Sequence, residues 1–166
     1  MGHGGTDRRR SATWIGVAGF LLVVGYAVAG ALQVLVWNPL AAVPGATLAE
    51  IHALLDRANE SLAAPPVLIW AATGVLLAAA VLIAGLKHSI SGRAAAGLYL
   101  LLLVLAAPSH WMASFPAGMG LADAFAISGG DHAPWGKVLY AVSALSLVAV
   151  FVVIVRGNRT SDARVT

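Results

Sequence analysis

Four apolar runs, none containing Asp, Glu, Lys or Arg, decide what this chain can fold into. They cover residues 14–37 (WIGVAGFLLVVGYAVAGALQVLVW), 67–86 (VLIWAATGVLLAAAVLIAGL), about 94–111 (AAAGLYLLLLVLAAPSHW) and 138–155 (VLYAVSALSLVAVFVVIV). Crossing ~30 Å of hydrocarbon takes roughly 20 apolar residues as a helix, or slightly fewer when flanking residues snorkel. Lipid offers no water to pair bare backbone groups, so such runs must be helical. The sequence therefore predicts an all-α membrane protein, a bundle of four transmembrane helices built as two in-out-in hairpins. Residues 1–12 form one tail, 13–156 the four-span domain and 157–166 a second tail, with long loops at 38–66 and 112–137. The first run exceeds the ~7–15-residue core of a cleaved signal peptide and is read as a retained span.

Composition points the same way. Hydrophobic residues make up 60% and charged residues 10% of the 166 positions, against about 25% charged in soluble domains. Cysteine is absent, which removes disulfides, thiolate metal sites and dithiol electron transfer. The net charge is +3, but the basic residues flank the apolar runs instead of forming a stripe. The expected environment is thus a lipid bilayer, with no nucleic-acid partner.

Those basic flanks also predict orientation. Arg8, Arg9 and Arg10 precede the first run, Lys87 and Arg93 lie between the second and third, and Arg156, Arg159 and Arg164 follow the fourth. The other two connections carry Arg57 and Lys137 beside Glu50, Asp56, Glu60, Asp123 and Asp131. The positive-inside rule places both termini in the cytoplasm and both long loops outside, in a multi-pass plasma membrane of bacterial type. Trp37, Trp70, Trp111 and Trp135 then form an outer aromatic belt, with Trp14 at the inner face.

The first long loop holds a helix signal. Thr47 with Glu50 three residues on is a capping-box pattern, and Leu48, Ile51, Leu55, Ala58 and Leu62 share one helical stripe. An amphipathic helix is expected there, lying on the membrane surface or capping the bundle. In the second long loop, MASFPAGMG reads as a turn and LADAFAIS as a short surface helix, with Pro108 loosening the span just below. Trp37 followed by Leu48-Ala49-Glu50 is echoed by Trp111 followed by Leu121-Ala122-Asp123, an echo that fits either a duplicated hairpin or, more readily, chance similarity in so simple an alphabet.

Candidate chemistry is concentrated near these loops. His52, His110 and His132, with Asp131, supply nitrogen and oxygen ligands suited to zinc or copper, provided the two loops converge. No organic cofactor is indicated: a bis-histidine haem needs facing histidines on two spans, and only His110 lies in one. Gln33 and Ser109 are polar groups inside spans, and Gln33 is expected to pair with Ser109 or His110 as interhelical glue. Gly25 with Ala29 and Gly74 with Ala78 are small-xxx-small pairs suited to close helix packing. Phosphate-binding, dinucleotide-binding and serine-nucleophile motifs are missing from the sequence. By elimination, the expected role is a non-catalytic accessory, assembly or stabilising subunit of a membrane complex, with a membrane protein or a second copy as partner. A metal or redox site on the outer face is one alternative. The other is a small oligomeric transporter or channel lined by Gln33, Ser109 and His110.

Overall fold

The computed structural model describes the backbone of residues 3–162 and the side chains of residues 13–155. The arginines of both tails, which weigh heavily in the orientation argument, lie outside the described side chains. In order, the elements are α1 (His3–Leu32), a π-helical turn (Gln33–Trp37), α2 (Asn38–Ala42), α3 (Leu48–Arg57), α4 (Ala64–Leu86), α5 (Gly92–Phe125) and α6 (Trp135–Asp162). Four segments within them are long and apolar enough to cross a membrane: Thr13–Ala42, Ala64–Leu86, Gly92–Phe125 and Trp135–Val155. The chain is an all-α, four-helix membrane protein.

α1, α4 and α5 pack against one another, while α6 packs mainly on α5 and touches α1 less. Val23, Tyr26, Ala78, Ala95, Tyr99 and Leu103 fill the space between them. Three hydroxyl hydrogen bonds fix this core. Tyr99 donates to the Ala78 carbonyl at 3.2 Å. Ser143 spends its one hydrogen on the Leu103 carbonyl at 2.7 Å, so Tyr26 must donate to Ser143 at 3.1 Å, tying α1 to α6. In hydrocarbon such groups need partners, because an unpaired polar group there costs several kcal/mol. The outward faces of α6, including Leu145 and Phe151, stay exposed, as suits lipid contact.

Two local expectations are corrected. The helix of the third span does not end near Trp111: α5 runs 34 residues, through Pro108 and Pro116. At ~1.5 Å per residue it is about 50 Å long, so some 20 Å extends beyond ~30 Å of hydrocarbon. Each proline removes one backbone donor, from the carbonyls of Val104 and Met112 four residues back. Helices of a bundle tolerate such prolines where neighbouring helices, hydroxyl side chains or water can pair the freed carbonyls. The turn and separate short helix read into residues 112–128 are therefore one continuation of α5, which stops where Ala126 turns left-handed (φ 54°). As a result, Leu121-Ala122-Asp123 closes a long helix whereas Leu48-Ala49-Glu50 opens a short one, so the two echoed segments do not share a local fold.

The capping box forms as the sequence predicts. Glu50 N–H donates to Thr47 Oγ1 at 3.3 Å, and Thr47 N–H donates to Glu50 Oε2 at 2.8 Å. The amphipathic stripe of α3 does not lie on lipid. Ile51 and Leu55 pack with Leu62 and with Leu121 near the end of α5, each nearly or fully buried. α3 and the projecting part of α5 thus share a second small core above the spans.

The bond from the Thr47 backbone, followed by that from its hydroxyl, holds the Glu50 carboxyl below its ordinary value of 4.5. A lowered pKa means the cap contributes fully above 4.5 and is lost as pH falls through the folded value. The protection of the Ile51 amide, taken relative to its intrinsic exchange rate at each pH, should therefore fall on acidification below about 4.5 in the wild type, and Glu50→Gln should flatten that dependence.

Candidate functional site at the loop end of the bundle

The site begins with the π turn. In an α-helix, residues five apart diverge by about 140°, given ~100° per residue. In the π turn the Asn38 N–H bonds the Gln33 carbonyl, an i to i+5 bond that stacks the two positions one wide turn apart. Pro39 follows in the first turn of α2, where a missing N–H is harmless. The consequence is that two amide side chains, Gln33 (0% exposed) and Asn38 (7% exposed), serve one face.

That face grips the loop between α5 and α6. Asn38 Oδ1 accepts from the backbone N–H groups of His132 at 2.6 Å and Ala133 at 3.2 Å, while its Nδ2 donates to the Gly130 carbonyl at 3.5 Å. Gln33 Nε2 donates to Asp131 Oδ1 at 3.2 Å and to the Ala133 carbonyl at 3.4 Å. The expectation that Gln33 pairs with Ser109 or His110 is thereby corrected: its donors go to the loop. The other side of the loop rests on α5, where Gly118 and Gly129 meet so closely that a Cβ on Gly118 would run into the Gly129 carbonyl oxygen. Trp37 and Trp135 close the edge, with ring centroids 5.3 Å apart.

Below the loop sits His110, 1% exposed. Its Nε2 lies 3.2 Å from the Gly30 carbonyl oxygen; a carbonyl only accepts, so Nε2 carries the hydrogen. The ring meets Trp70 edge-on at 4.9 Å, and Trp70 Nε1 donates to Ser109 Oγ at 3.0 Å. Trp70 is therefore not simply a belt residue; it faces inward and bridges α4 to α5. Gly30 admits this pair, since a Cβ there would stand 2.6 Å from the Trp70 ring.

Among the described residues, two buried acceptors are left without a protein partner, Gln33 Oε1 and His110 Nδ1. Rotating the Gln33 amide would not help, because both groups bonded to Nε2 can only accept. The pair thus offers bare lone pairs to the interior, and the chemistry it can take is a hydrogen-bond donor.

The proposed zinc or copper ligands are not assembled. His52 is exposed on α3, His110 is committed to Gly30, and His132 Nε2 bonds the Ser128 carbonyl at 2.9 Å. Among the described residues no three His, Asp or Glu side chains converge as a metal-ligand group. Of the helix-packing pairs, Ala78 is in the core and Ala29 packs against it, while Gly25 and Gly74 face open space. The close approaches occur instead at glycines the small-xxx-small pattern does not single out.

Asn38 is the main residue that sequence reasoning missed. Its signal was present, since two amides five apart beside a proline fit no α-helical stripe. Protein-family models, curated proteins and solved structures all yield no match to this chain.

Proposed function

We propose that this chain is a non-catalytic accessory or assembly subunit of a bacterial membrane complex, with both termini cytoplasmic and the loop end facing its partner. The observation that carries this reading is the effort spent on making the loop end rigid. α5 projects beyond the spans, α3 is docked on it through Ile51, Leu55 and Leu121, and Gln33 and Asn38 fasten the remaining loop. A surface ordered in advance loses little entropy on binding, which favours recognition by a macromolecular partner. α3 turns His52, Leu54, Asp56 and Arg57 outward, with Leu54 an exposed apolar residue among charged and polar ones. That mixture resembles the composition of a protein interface more than of a lipid-facing stripe.

A photo-crosslinking residue placed at Leu54 in the native membrane tests the proposal. A single membrane protein, identified by mass spectrometry, should be captured there, and Leu54→Glu should abolish its co-purification in mild detergent. A probe at the exposed Leu145 on α6 should capture lipid only. A strictly solitary protein, or capture at Leu145 alone, contradicts the reading.

A further inference from the structure

A cleft of about 150 Å³ opens between α5, the start of α6 and the loop clamped by Asn38. Apolar cavities of about this volume admit a group the size of benzene. Its wall carries one carboxylate, Asp131, and three aromatic residues, Trp111, Phe115 and Tyr140. Among the described residues its lining includes no Lys, Arg or His, so its carboxylate gives it the sign that suits a cation.

Asp131 makes no ion pair among the described residues. Its Oδ1 accepts from Gln33, and Oδ2 sits hard against Gly136 in the first turn of α6, where a Cβ would collide with it. The charge is thus held in place by one amide and a helix start, but not neutralised by a cation. Trp111 and Phe115, whose rings lie 6.1 Å apart, are more than half exposed, and Tyr140 is 37% exposed.

The level of the cleft matters too. Trp111 is the twentieth residue of α5, counting from Gly92, hence about 30 Å from its start at 1.5 Å per residue. That is one hydrocarbon thickness, so the cleft opens where the headgroups begin.

We propose that this cleft binds an organic ammonium group, with Asp131 supplying the counter-charge and Trp111, Phe115 and Tyr140 supplying aromatic contacts. Carboxylate and aromatic side chains together are the chemistry that recognises alkylated ammonium. The group can belong to a lipid headgroup or to a soluble amine.

The test uses the full chain in a neutral detergent, titrated with choline chloride while the thermal unfolding midpoint is followed. Sodium chloride of equal ionic strength and the uncharged isostere 3,3-dimethylbutan-1-ol serve as comparisons. Choline should raise the midpoint saturably, and the other two should not. Asp131→Asn keeps an oxygen for Gln33 and should weaken the choline response about tenfold or more. Trp111→Ala should weaken it about two- to fivefold. Equal responses to choline and the neutral alcohol would overturn the proposal. So would an unchanged response in Asp131→Asn. Should Asp131→Asn lower the ligand-free midpoint, Trp111→Ala, which leaves the Gln33 bond alone, becomes the deciding variant, and an unchanged choline response there overturns the proposal. Lipid nanodiscs then separate the sources. If phosphatidylcholine discs abolish the effect of added choline that persists in phosphatidylglycerol discs, the headgroup is the occupant. An equal choline response in both assigns the site to a soluble amine.

Discussion

Asn38→Ala should lower the stability of the protein in detergent by about 2–3 kcal/mol, a larger loss than any surface substitution on the same chain would give. The side chain accepts from two consecutive backbone N–H groups, His132 and Ala133. His132 is exposed and recovers a water, but Ala133 is buried, 4% exposed. A buried amide left unpaired loses about 1–3 kcal/mol, to which the weaker bond to Gly130 and the lost packing add. For a chain of this size the midpoint should fall by about 4–12 °C. The effect should be local in its origin: the loop from Ser128 to Pro134 loosens first, and the apolar core around Tyr99 persists.

Gly118→Ala is the second large effect, and its sign is the informative part. Helix propensity alone says that alanine in a helix interior gains about 1 kcal/mol over glycine. The new Cβ, however, would strike the Gly129 carbonyl oxygen, and a Cβ on Gly129 would in turn stand 3.0 Å from the Gly118 carbonyl oxygen. Two backbones meet here, so no flexible side chain can move aside. Overpacking of this kind costs about 1–3 kcal/mol, and with the loop pinned by Gln33 and Asn38 on its far side, the clash wins. A net loss of up to about 2 kcal/mol is expected. Gly25→Ala is the matched control, because nothing lies within 4 Å of the Cβ position there. It should be neutral or stabilising by up to about 1 kcal/mol. Thermal unfolding of the two variants side by side reads both signs.

How much of this could be read from the residues divides along a physical line. The spans were legible because hydrocarbon imposes one requirement on every residue, and runs without charge satisfy it visibly. The capping box at Thr47 and Glu50 was legible because it depends only on neighbours three positions apart. The length of α5 was not. Pro108, Pro116 and a glycine-rich stretch signal a break in water, yet here they lie in a helix that other elements pack against, with Leu121 held by Ile51 and Leu55. The role of Asn38 depended on a π turn and on a loop more than ninety positions later. Neither leaves a periodic trace. The sequence offers His110 as a candidate ligand, but only the fold shows its Nε2 spent on Gly30 and its Nδ1 left bare.

The loop between α5 and α6 depends on two amide side chains of the first span, aligned by the π turn, that hold it in a fixed shape. Hydrogen exchange at the backbone amides of His132 and Ala133, measured in lipid nanodiscs, tests this dependence. Both amides should be strongly protected in the wild type and lose that protection in Asn38→Ala, while amides in the middle of α5 stay protected. Rapid exchange at both positions in the wild type, or protection unchanged by Asn38→Ala, would contradict it.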